Sequence, residues 1–184
     1  MSPRGFSIQR ARVPLGFLVG GLYLFFARPN PVTLGVGAAI AFVGVLIRAW
    51  AAGHIVKNNR LATTGPYAHT RNPLYFGSFL IACGFAIIAS PWLLLAVGAF
   101  WLAVYGPVIR KEREHVSALH PEAYAQWAQH VPAFVPRPLP WRKGNLGERA
   151  PFSVPLYLKH REWQAGLVYF LALGWLYFRL RRGF

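Results

Sequence analysis

Four apolar runs constrain this chain more than anything else in it. Val13–Ala27, Val32–Ala49, Pro73–Ala89 and Trp92–Ile109 are each roughly 15 to 18 residues long, near the ~20 that cross a hydrocarbon core, and each can borrow flanking residues. An "RPNP" turn separates the first pair, and Ser90-Pro91 alone separates the second. A fifth run, Gln164–Phe178, is apolar all round, whereas a helix lying in the interface shows a polar face. The expected fold is therefore all-α: one polytopic integral membrane domain over residues 1–184, with four to five transmembrane helices.

Composition agrees. Mean hydropathy is +0.34, and 14% of residues are charged, against about a quarter in soluble domains. The net charge of +15 comes from twenty basic residues and only five acidic ones. A nucleic-acid protein would place such charge on a soluble face, but here it flanks apolar segments, so no nucleic acid is expected. Arg4, Arg10 and Arg12 precede the first run. Lys57, Arg60 and Arg71 follow the second, and the segment from Arg110 to Arg161 holds nine basic residues, both ends included. The first turn holds only Arg28 and the Ser90-Pro91 turn none, which puts the amino terminus and both long segments in the cytoplasm. In a bacterium this means the inner membrane. A fifth span works against that rule by sending Arg179, Arg181 and Arg182 outside. Cys83 lies in an apolar run, no metal site is expected, and the first run reads as a span rather than a cleaved leader.

Residues 13–50 form the first two spans, 59–138 a helical hairpin with a cytoplasmic extension, and 139–184 a loop and C-terminal helix. Glu112 to Gln129 reads as one polar helix, followed by "VPAFVPRPLPW" along the membrane surface and the loop "RKGNLGERAP".

Chemistry concentrates in "GPYAHTRNPLYFG", residues 65 to 77. Gly65-Pro66 is a turn, and Asn72-Pro73 a helix start with Asn as N-cap and Pro at the first position. Gly77 and Gly84 are two helical turns apart on one face, so either a packed helix or a ligand laid along that face can use them. The third and fourth runs are of similar length, so their cytoplasmic ends sit level. Glu112 and Glu114, two of the five acids, thereby face the amide-rich helix start at Asn72. Such a site suits a zwitterion. The plainer reading pairs these glutamates with Arg110 and Lys111 on a solvated helix.

"LATTGPYAHTRNPLYFG" resembles the Gly-x-Tyr … Arg-His-Pro-x-Tyr-x-Gly signature of the isoprenylcysteine carboxyl methyltransferase family, which is related to membrane phospholipid methyltransferases. "EREHVSALHPEAYAQWAQHVPAFVP" looks like that family's second signature. The resemblance runs from Arg48 to about Pro136 and implies S-adenosylmethionine bound at the cytoplasmic face. By position the cofactor would touch Asn59, Arg60, Leu61, Ala62, Tyr67, Asn72, Pro73, Leu74, Tyr75 and Glu112, with Gly77 making room for it. Three departures stand out: Asn72 replaces the usual His, His120-Pro121 replaces a Phe-Gly pair, and Val108 sits where an arginine holds the substrate carboxylate. Arg110 and Arg71 are then the candidate catalytic cations.

The resemblance thus implies methylation of the carboxylate of a lipophilic molecule that enters from the surrounding membrane lipids. A carboxylate is ionised at neutral pH and needs no base. The alternatives are N-methylation of a phospholipid or amine, for which His69, His115 or His120 could take a proton, and a non-catalytic membrane protein that keeps the fold. Separately, no Gly-rich strand-to-helix turn is present, which excludes a Rossmann-type methyltransferase.

Overall fold

The computed structural model describes residues 20–21, 23–55, 61–142 and 151–183. Every regular element among them is helical. Most of the first expected span, and the segments around Asn59 and Gly144, lie outside these residues.

Helix α1 spans Pro31–Ala52 and opens with a full capping box. The Asn30 Oδ1 accepts from the Thr33 amide at 2.9 Å, and Thr33 Oγ1 accepts from the Asn30 amide at 3.2 Å. Helix α2 spans Pro73–Ala89. Helix α3 runs unbroken over Leu93–Leu119, with one π-turn at Trp101–Tyr105. That turn has a local cause: Pro107 has no N–H for the Ala103 carbonyl, and the Gly106 amide reaches back to Trp101.

The single polar helix expected over Glu112 to Gln129 is instead the end of α3 plus a separate helix α4, Pro121–His130. Pro121 explains the break, since the residue before a proline is pushed out of the α region and His120 sits at φ −138°. Helix α5 is short, Val154–Lys159, and α6 spans Trp163–Arg182, ending at Gly183 in the left-handed region.

Helices α1 and α3 are long and apolar enough to cross a membrane. Helix α2 is apolar but has 17 residues. The fifth expected run is the body of α6. Its start is joined to Arg48 near the end of α1 through Glu162. Its far end places Arg179 Nη1 on the carbonyls of Leu24, at 3.0 Å, and Phe25, just before α1 begins. Helix α6 therefore covers the full height of α1, and its basic end is satisfied by helix-terminal carbonyls.

The glycines of α2 answer their question here. A Cβ on Gly77 would lie 2.7 Å from the Gly44 carbonyl oxygen, and one on Gly44 would lie 2.5 Å from that of Gly77. Gly84 meets Gly37 and Ala41 in the same way one heptad further along. The two helices run antiparallel with backbone against backbone, as small-residue interfaces in membranes allow. The space in front of Gly77 is filled by α1, not left for a ligand, which corrects that expectation.

Candidate functional site

The thirteen residues from Gly65 to Gly77 fold as a 3-10 turn, Gly65–Ala68, leading into the start of α2. Gly65 has φ +59°, and the buried ring of His54 packs where its Cβ would stand, so no other residue serves there. The turn buries Tyr67, which is 5% exposed, against Ala51, Trp127 and Val131.

Sequence reasoning missed how the second motif is fastened to the first. The proline-rich stretch after α4 is laced to residues 68–72 by a ladder of bonds. The Arg71 amide donates to Pro132 O at 2.9 Å, and Arg137 N donates to His69 O at 3.0 Å. Trp141 N donates to Ala68 O at 2.9 Å, and Thr70 Oγ1 donates to Phe134 O at 2.8 Å. The Phe134 ring packs edge-on against Phe76 and Phe79. Asn72 belongs to this seam. Its side chain makes no capping bond; Nδ2 donates instead to Ala133 O at 2.7 Å. The expected N-cap role is thus replaced by a tie between the motifs.

The seam and the end of α3 enclose a cavity of about 210 Å³. Of the residues expected to hold a cofactor, Leu61, Ala62, Tyr67, Asn72 and Glu112 line it, together with the candidate cation Arg71. Pro73 and Leu74 do not; Leu74 packs behind Tyr67 instead. The Tyr75 ring lies 5.8 Å from that of Tyr105 on α3. Arg110 is exposed and outside the lining, while Asn59 and Arg60 fall outside the described residues. The structure adds Ile55, Val116 and Leu119 as apolar walls and Tyr124 and Trp127 as aromatic ones. Tyr124 and Trp127 stand three apart on α4, a spacing that marks one helix face.

The polar groups of the cavity are unevenly satisfied. Arg71 Nη1 donates to the Tyr124 hydroxyl at 2.9 Å, yet its buried Nε has no partner among the described residues. The Tyr67 hydroxyl is likewise buried and without a partner among the described residues. Burial, then the nearby carboxylates of Glu112 and Glu162, push that phenol well above its ordinary pKa, with Arg48 opposing, so it stays neutral. Glu112 makes no ion pair; Arg48–Glu162 is the one such pair among the described residues. The expected pairing with Arg110 and Lys111 is absent there. Glu114 does not line the cavity. The three candidate histidines separate: His115 and His120 line the cavity, whereas His69 Nδ1 is bound 2.8 Å from Arg137 O. No group of three or more His, Cys, Asp or Glu among the described residues could hold a metal ion.

Helices of membrane length thus carry, at the end of α3, a cavity whose walls mix apolar, aromatic and ionisable side chains. The chain belongs to the phospholipid methyltransferase family, whose model matches residues 32–123, from the start of α1 into α4. It is 36% identical over 137 residues to the cobalt-zinc-cadmium resistance protein CzcN of Cupriavidus metallidurans, covering 68% of this chain and 62% of that one. It is 32% identical over 109 residues to the nickel-cobalt-cadmium resistance protein NccN of Alcaligenes xylosoxydans xylosoxydans, covering 58% and 50%. The matched part thus spans between half and two thirds of each relative. No solved structure matches the chain at a significant level.

Proposed function

We propose that this protein is an S-adenosylmethionine-dependent methyltransferase that methylates the carboxylate of a lipophilic molecule at the cytoplasmic face of the membrane. The observation that carries the reading is the convergence of Tyr67, Arg71, Asn72 and Glu112, from two separate motifs, on one cavity with unpartnered polar atoms. Four spans, or five with α6, hold that cavity at the membrane surface. The charge distribution along the sequence supports this sidedness.

The residues present fit the cofactor. S-adenosylmethionine supplies a methyl group activated on a sulfonium, and its amino-acid end is a zwitterion. Glu112 offers a negative charge that is in no ion pair among the described residues, although Arg71 and Arg113 line the same cavity. The Tyr67 hydroxyl and Arg71 Nε are buried groups whose hydrogen bonds await a partner, each costing roughly 1–3 kcal/mol while unmade. Leu61, Val116, Leu119 and the aromatic pair Tyr124 and Trp127 give the remaining walls apolar surface. A carboxylate acceptor arrives ionised, so the protein has only to align it.

A second reading, N-methylation of a phospholipid or amine, is favoured by one feature. His115 and His120 line the cavity and could take the proton an amine must lose. The names of the two relatives concern metal resistance and name no acceptor.

The test is transfer of labelled methyl groups from S-adenosylmethionine into a lipid extract. Methyl esters release the label under mild alkali, and N-methyl products keep it. Folded protein that labels nothing overturns the reading.

A further inference from the structure

Among the described residues Arg48 is the most heavily used cation, and it lies outside the cavity. Its Nε and Nη2 grip both oxygens of Glu162 at 2.9 and 2.7 Å, the forked geometry by which guanidinium recognises any carboxylate. Nη1 reaches the Leu74 carbonyl at 3.4 Å and the Ser78 hydroxyl on α2. The Arg48 stem crosses Gly77, whose missing side chain lets it pass.

Three observations set this pair apart from an ordinary structural bridge. First, it is not sealed: the Arg48 side chain is 25% exposed and that of Glu162 13%. Second, Glu162 is delivered by a costly turn, since Arg161 sits at φ 55°, a region that residues other than glycine rarely occupy. Glu162 also stands at the start of α6 without capping it, although a negative charge is favoured at that end of a helix. The carboxylate therefore has a second favourable place to rest. Third, Leu74, whose carbonyl Arg48 reaches, packs in the same cluster as Tyr67 and Trp127, which line the cavity, so the pair stands one layer behind that wall.

We infer that Arg48 is the receptor for the carboxylate of the amphiphilic methyl acceptor, and that Glu162 occupies its place until the acceptor displaces it. This rests on the methyltransferase reading. It also supplies the guanidinium that Val108 does not, from a different helix. Arg48 lies about one turn from the end of α1, where a carboxylate carried by an apolar tail meets the membrane surface. The start of α6 then acts as a plug.

The experiment measures binding of dodecanoate, with dodecanol as control, to the detergent-solubilised full chain by calorimetry without a methyl donor. Glu162→Gln, which removes the competing carboxylate, should bind dodecanoate at least tenfold more tightly than the unaltered protein. Arg48→Gln should lose saturable binding, and dodecanol should not distinguish the three. Equal affinity in Glu162→Gln and the unaltered protein overturns the inference. Should Glu162→Gln fail to fold, the unaltered protein decides by hydrogen exchange. Saturating dodecanoate must change exchange in the first turn of α6, and unchanged exchange overturns the inference. S-adenosylmethionine binding, measured on the same samples, separates the two failures. Cofactor binding without dodecanoate discrimination sinks only the role of Arg48; no cofactor binding sinks the enzyme reading itself.

Discussion

The indole N–H of Trp127 donates to the carbonyl of Tyr67 at 3.0 Å, a bond between two buried residues sixty positions apart. It fixes the height of α4 against the Gly65–Ala68 turn, and with it the position of the Tyr67 ring in the cavity wall. Trp127→Phe keeps an aromatic ring and removes the donor. The expected loss is about 1 kcal/mol of stability, with weaker binding of S-adenosylmethionine as Tyr67 loses its anchor. Thermal unfolding and calorimetry on the same variant check both. Lower stability with unchanged affinity would show that the bond serves packing only.

Glu112→Gln keeps size and one acceptor while deleting the charge. Charge-assisted bonds are worth roughly 1.5–3 kcal/mol, so affinity for S-adenosylmethionine should fall about ten- to a hundred-fold. Glu114→Gln, about 200° further round the same helix, should change affinity little. Matching effects from the two variants would mean that α3 presents a different face to the ligand.

Gly77→Leu and Gly44→Leu should both prevent assembly in the membrane, because each forces a side chain into the other helix's backbone. Gly98→Leu, where the added Cβ meets nothing within 4 Å, should assemble normally. Membrane yield and detergent gel filtration read the difference. A well-assembled Gly77→Leu protein would contradict the α1–α2 interface.

Tyr67→Phe removes an unpartnered hydroxyl, so the ligand-free protein should be as stable or more stable near neutral pH, while cofactor affinity drops. The alkaline behaviour follows from the raised pKa. Folding holds Tyr67 protonated, so its contribution is fully present below the unfolded value of about 10 and is lost as pH rises past it. Between about pH 9 and 11, the unaltered protein should lose stability faster than Tyr67→Phe. Parallel melting curves across that range would show that the phenol is solvated.

Much of this architecture was legible in the residues. Apolar runs gave α1, α2, α3 and α6, because in a membrane length and hydropathy decide a helix without help from tertiary contacts. The two motifs brought Tyr67, Arg71, Asn72 and Glu112 to one place. What escaped were matters of pairing. Gly77 serves a helix or a ligand equally well on paper, and only the approach of Gly44 decides it. Asn72 before Pro73 carries every mark of a cap, yet the Ala133 carbonyl captured its amide from sixty-one residues away. The break at His120 was visible in Pro121 and was overridden by the helical pattern on either side. Arg48 is the one charged residue within the run Val32–Ala49, and nothing local assigns its partner, because Glu162 lies 114 residues on.

The seam between residues 68–72 and 132–141 has a consequence for how such a chain can vary. Three of its six bonds join main-chain amides to main-chain carbonyls and the other three also end on main-chain carbonyls, so half the rungs ask nothing of side-chain identity and all of them are strict on spacing. Substitutions can drift through both segments while the ladder stays in register. One residue gained or lost between Tyr67 and Asn72, or between Trp127 and Trp141, would shift every rung at once. Divergence at this site is therefore cheap by replacement and expensive by insertion, and the length of the two segments is a more durable mark of the site than their letters.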